Sequence, residues 1–283
     1  MVWTSYIVAM IVVGASGLYV WNKKKKVVRR EAGKDYPSDT VILHQFPRGP
    51  YAPSMSAFCI KLETFLRMAN VPYKNVHGYK TGPKGKIPWI EYNNEIFGDS
   101  EMIMAYLNEK LEINLNKNLT PEQKAIARAF QKLVDEHMYW TVLMERWVFR
   151  RSDTIKAKLS KLPSIVLWEI GRRTKNMAHA HGIGRHSQPE MEKILLEDLT
   201  AISDFLGDKQ FMFGDEPTQV DCAIFGHLIQ VKHHVPDTVK AKQVLQDSES
   251  LSNLNNYYER LKQKYWPDWD ECITDGFTKE ATK

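Results

Sequence analysis

"SAFCIKLETFLRMANVPYKNV", residues 56–76, decides the fold. Phe58, Leu62, Phe65, Leu66 and Ala69 recur at helical spacing, which predicts an amphipathic helix over residues 56–70. "VPYKNVH" then reads as a strand. Just upstream, "VILHQF" at residues 41–46 is a short apolar run rich in β-formers, closed by Pro47, Gly49, Pro50 and Pro53. Strand, helix and strand in that order make a crossover unit. Downstream, "KIPWIEY" and "EIFG" are two short strands separated by Asn93 and Asn94, residues suited to a two-residue hairpin turn. Asp99, Ser100 and Glu101 then open a helix with apolar residues at Ile103, Met104, Tyr106, Leu107 and Leu111.

The order βαβ then ββα predicts a thioredoxin-like α/β domain with a mixed sheet over residues 40–113. Strand signals stop at Thr120. There Thr120-Pro121-Glu122-Gln123 forms a capping box with proline in the first turn, heading a long helix. Further helices are expected at about 154–176, 189–206, from Thr218-Gln219-Val220-Asp221 onward, and at 250–265. Residues 114–283 therefore read as an all-α domain. The spacing between the second strand and Pro88 is short: "GYKTGPKGKI" has ten residues with three glycines and a proline, so no regular helix fits there.

Composition excludes several classes. With 43% hydrophobic and 26% charged residues the chain is globular. The net charge of +5 lies wholly in residues 1–35, which hold seven basic against two acidic side chains, and the neutral remainder argues against nucleic-acid binding. Cys59, Cys222 and Cys272 are scattered and unpaired in sequence, which fits reduced thiols and offers no soft-metal cluster. His179, His181 and His186 in "HAHGIGRH" read as a polar loop, and no metal is expected.

Residues 2–21, "VWTSYIVAMIVVGASGLYVW", carry no charge and are long enough to cross a ~30 Å hydrocarbon core. The lysines of "NKKKK" follow this run, where a cleaved signal peptide would carry its charge before it. A single transmembrane anchor over residues 1–21, a basic linker over 22–39 and a cytosol-facing body are expected.

"SAFC", "GKIPW", "FGDS" and "GDEPTQVDCAIFGHL" together resemble the glutathione S-transferase superfamily over residues 41 to about 268. Within it, "PSMSAFCIKLETFLRMANVPY", "PKGKIPWIEYN" and "IFGDSEMI" look most like the failed-axon-connections family, which includes nematode cadmium-responsive proteins and is related to the metaxins. The resemblance implies glutathione as co-substrate, with Ser56 or Tyr51 polarising its thiol. It also implies a cis Pro88 that lets the Ile87 backbone pair with the tripeptide, and a γ-glutamyl site at Asp99 and Ser100, which read equally as an ordinary helix cap. Ser56 is equally a preferred helix N-cap, and both readings stand. Cys59, one turn on, reads as a small buried apolar residue. Thr218 and Asp221 read as a structural cap. Tyr139, Trp140, Trp147 and Met144 read either as core or as the lining of a hydrophobic cleft between the domains. The missing helix before Pro88 would thin one wall of the glutathione site. Two functions follow. One is a membrane-anchored glutathione transferase of stress or cadmium response acting on a small electrophile; the other is a non-catalytic adaptor, metaxin-like, with protein partners or a dimer. The resemblance suggests the lysosomal membrane, with the mitochondrial outer membrane as alternative.

Overall fold

The computed structural model describes residues 36–156, 162–247 and 249–283. The expected anchor over 1–21 and most of the linker lie outside them. Among the described residues no helix is long and apolar enough to cross a membrane.

Four strands form one sheet: β1 (Val41–Gln45), β2 (Tyr73–His77), β3 (Trp89–Tyr92) and β4 (Glu95–Gly98), in the order β2-β1-β3-β4. β1 runs parallel to β2 and antiparallel to β3, with Leu43 opposite Asn75 on one side and Ile90 on the other. The β3–β4 hairpin turns through Asn93 and Asn94, both at positive φ, which asparagine tolerates. Residues 78–88 hold no helix. They are tied instead by Gly82 N–H to the Lys86 carbonyl and by the Trp89 indole N–H to the Lys80 carbonyl, each at 2.9 Å. A Cβ at Gly82 would stand 2.5 Å from Trp89, so glycine is required there.

Helix α1 (Ala57–Met68) starts at Ser56, whose hydroxyl accepts from the Cys59 amide. One face meets Val41, Leu43, Ile90 and Leu107 through Leu62, Phe65 and Leu66; the other sends Ile60 into the helical core. Contrary to the amphipathic expectation, Lys61, Glu63 and Thr64 are fully buried too. The cause is coverage from both sides, by the sheet and by helix α8 (Gln219–His234). The approach is close: a Cβ on Gly226 would fall 2.6 Å from the Ala57 carbonyl oxygen.

After α2 (Ser100–Lys110), a continuous helical run spans α3 (Pro121–Lys132), wide turns over Leu133–Met138, α4 (Tyr139–Met144) and wide turns again over Glu145–Phe149. The Thr120–Gln123 box caps it reciprocally. Wide π-type turns shift the side-chain register that a 3.6 period predicts. The expected helix at about 154–176 is instead α5 (Arg151–Lys156) and a separate α6 (Ser164–His181) that begins after Pro163. His179 and His181 thus sit in the last turn of α6, not in a loop, and Gly182 at φ +107 ends it. Helices α7 (Gln188–Leu206), α8, α9 (Lys240–Asp247) and α10 (Ser252–Tyr265) complete the second core, around Leu199, Phe225, Leu228 and Tyr257.

Candidate functional site

Ser56 opens α1 onto a cavity of about 650 Å³ between the sheet and the helical run. Its walls are Phe46, Tyr139, Val142, Leu143, Trp147 and Ile170, with Arg48, Arg146 and His227 as polar groups. Ser56 is half-buried; its amide donates to Ser54 Oγ at 3.2 Å and its Oγ accepts from Cys59 N at 3.4 Å. The hydroxyl sits beside the positive end of the helix and within reach of the Cys59 thiol. Burial pushes the Cys59 thiol up to about 11, against the hydrogen bonds it receives, so the thiol behaves as an apolar side chain.

The other residues expected at the site do not line the cavity. Tyr51 is half-buried against Gly276, where a Cβ would stand 3.4 Å from its hydroxyl. The Ile87–Pro88 bond is cis. Asp99 is exposed at φ +82, a conformation rare for a residue with a Cβ, and its carboxylate accepts from the amides of Glu101 and Met102. Ser100 beside it is buried. At the other end of the fold, Asp221 Oδ2 accepts from the Thr218 amide at 2.7 Å and hydroxyl at 2.8 Å, while Oδ1 accepts from Met212 N and the Tyr257 hydroxyl. Of the expected aromatics, Tyr139 and Trp147 face the cavity; Met144 packs with Ala178 and Met191, and Trp140 lies against His181.

Sequence periodicity missed three polar features. The first joins the halves: Lys61 Nζ lies 2.5 Å from Asp135 Oδ2, and His227 Nε2 lies 3.2 Å from Asp135 Oδ1. Burial alone would raise the Asp135 carboxyl, yet the His227 hydrogen bond and the Lys61 charge hold it well below the carboxylate range. The second surrounds Glu63, which accepts from Arg48 twice, Gln45, Asn75 and Tyr73. Despite burial, the Arg48 hydrogen bonds and charge bring its carboxyl down to about 2. The third is Arg146, on the wide turns after α4, at 1% exposure. Its partners are the carbonyls of His234 and Met55 and the side-chain amide oxygen of Gln230.

A segment far along the chain forms another wall. Thr274 donates to the Gly49 carbonyl through both its amide and its hydroxyl at 2.9 Å, and Gly276 N–H reaches the Pro50 carbonyl. Phe277 and Ala281 line the cavity. No short motif announces such a contact, 225 residues apart.

With this arrangement in place, comparison with known proteins gives a consistent answer. The family model for the glutathione S-transferase N-terminal domain matches residues 57–154, and that for the C-terminal domain matches residues 195–261. The chain is therefore a glutathione S-transferase-like protein carrying both parts of that fold. A Sphingobium β-etherase of known structure shares the fold, with a TM-score of 0.57 at 16% identity over 84% of this chain and 98% of that one.

More particularly, it is similar to Failed axon connections of Drosophila melanogaster, 34% identical over 260 residues, as the motifs around Ser56 implied. That match takes in 85% of this chain, which spans 61% of the relative's length. The isoprene-epoxide–glutathione S-transferase of Rhodococcus is 26% identical over 75% of this chain and 94% of its own. Mouse metaxin-2 is 25% identical over 84% of this chain and 93% of its own.

Proposed function

We propose that the protein binds glutathione with its thiol at Ser56 and presents it to a small electrophile in the adjoining cavity. The observation that carries this reading is Ser56 itself: a hydroxyl on a helix N-terminus, facing a largely apolar cleft. A thiolate there gains from the helix dipole and from the Ser56 hydroxyl donating to sulfur. Asp99 and Ser100 would hold the γ-glutamyl group, and the unusual backbone of Asp99 is the kind of outlier that marks a functional position. Ile87, beside the cis Pro88, would supply its backbone. Tyr51 is the second candidate for the thiol. That a relative of 26% identity is by name an epoxide–glutathione transferase supports the chemistry.

In this reading the body is tethered through residues 2–21 with its soluble part cytosolic. It serves stress or cadmium response at the lysosomal membrane, or at the mitochondrial outer membrane. The test is a calorimetric titration of glutathione into the full chain in lipid nanodiscs, repeated with Ser56→Ala and Asp99→Ala. Saturable binding, weakened about tenfold or more by Asp99→Ala and with a raised thiol pKa in Ser56→Ala, is expected.

One observation favours a second reading. Residues 78–88 form no helix to wall the site beside β3. Absence of glutathione binding up to about 10 mM, far above typical affinities, would leave an adaptor that uses the fold as a scaffold for protein partners.

A further inference from the structure

Arg146 poses an electrostatic problem: its guanidinium carbon lies 5.7 Å from the Trp147 ring centroid, but no counter-ion meets it among the described residues. Its guanidinium is buried and the residue borders the cavity, yet its three hydrogen-bond acceptors are two backbone carbonyls and a neutral amide. Among the described residues no carboxylate forms an ion pair with it. Glu145, the adjacent acid, pairs with Arg150, and Glu280, which also borders the cavity, makes no ion pair with Arg146. His234, whose carbonyl accepts from Arg146, brings no counter-charge. His234, fully buried, has both ring nitrogens without a hydrogen-bond partner, and burial together with the Arg146 charge holds it neutral. Burial also pulls the guanidinium itself down to about 9, so it still carries its charge at neutral pH.

An unpaired buried cation is costly, and the cost is relieved when an anion arrives. Arg48, which also borders the cleft, is not in this position, because Glu63 neutralises it. The walls next to Arg146 are apolar and aromatic: Tyr139, Val142, Leu143 and Trp147. The space suits an organic molecule of moderate size.

We propose that Arg146 is the anion-recognition residue of the cleft, and that the molecule taken there is a small aromatic or aliphatic carboxylate whose apolar body lies along Tyr139, Leu143 and Trp147. The carboxylate meets the guanidinium N–H groups that its three acceptors leave over. Specificity then rests on charge as well as on apolar fit. This inference stands on the cavity and the charge, and does not require glutathione to bind.

The probe is a matched pair, 2-naphthoate and neutral 2-naphthamide, titrated calorimetrically into the full chain in nanodiscs, with empty nanodiscs as the blank. The wild type is expected to prefer naphthoate by about tenfold or more, the scale of a charge-assisted hydrogen bond. Arg146→Gln keeps hydrogen-bonding capacity while removing the charge, and levels the two affinities; Arg146→Lys keeps the preference. Equal binding of the pair by the wild type, or tighter binding of naphthamide, overturns the proposal, and this comparison needs no variant to fold. Preference surviving in folded Arg146→Gln overturns it as well. A last arm repeats the naphthoate titration with about 10 mM glutathione present. Unchanged binding supports a separate acceptor site, whereas displacement assigns the charge to glutathione and overturns the proposal.

Discussion

Replacing Glu63 with glutamine keeps the shape of the side chain and removes the one anion at the centre of six donated hydrogen bonds, the longest from Arg67 at 3.5 Å. The gap between an ordinary carboxyl at 4.5 and the folded value of about 2 corresponds to about 3 kcal/mol of stabilisation at neutral pH. Breaking a buried pair by removing one partner falls in the same range, because Arg48 is left charged and without a counter-ion. Arg67 suffers less, since Asp268 still holds it. Urea unfolding followed by tryptophan fluorescence should show Glu63→Gln less stable than wild type by about 3 kcal/mol at pH 7. Because folding depresses this carboxyl, its contribution is complete above about pH 4.5 and disappears as the pH falls towards 2. The difference between the two proteins must therefore shrink across that window. A loss below about 1 kcal/mol at pH 7, or a gap that stays constant in acid, would refute the reasoning.

Other substitutions test the packing and the caps. Gly226→Ala forces a methyl to 2.6 Å from the Ala57 carbonyl, so α1 and α8 must separate; a loss of about 2 kcal/mol and a lower melting temperature are expected. Asp221→Ala strips four hydrogen bonds from a fully buried carboxylate and leaves their donors unmet, costing about 3 kcal/mol in urea unfolding. Ser56→Ala removes a helix cap and should cost about 1 kcal/mol, whatever it does to ligand binding. Cys59, Cys222 and Cys272 are all buried with thiols pushed upward by burial, so a disulfide-exchange reagent should label them only as fast as the protein opens. Rapid labelling of any one in the native state would contradict that placement.

The elements that organise the sheet were legible in the sequence because local rules determine them. "VILHQF" could hardly be anything but a buried strand, Asn93-Asn94 is turn chemistry, and Thr120-Pro121-Glu122-Gln123 announces a helix start. Ser56 was legible for the same reason, as a cap. The interior of α1 was not. Lys61, Glu63 and Thr64 read as a solvated face because their compensation comes from Asp135, Arg48 and Trp266, residues distant in sequence. Arg146 was hidden differently. The wide turns over Leu133–Met138 and Glu145–Phe149 break the 3.6 period, so the positions that face inward there cannot be counted from the helix start. Pro163, by contrast, was a visible break, and a continuous helix through it was the wrong reading.

The charged side of α1 also constrains how this protein can be made and inherited. Lys61 finds its anion on the helical run, Arg67 finds Asp268, and Thr64 accepts from the Trp266 indole. The strand–helix–strand unit, made before the helices it packs against, thus exposes uncompensated ions and bare apolar surface until chain near residue 268 has emerged. It would be a poor module to shuffle alone into another gene, and its assembly and that of the helices are expected to be a single cooperative event.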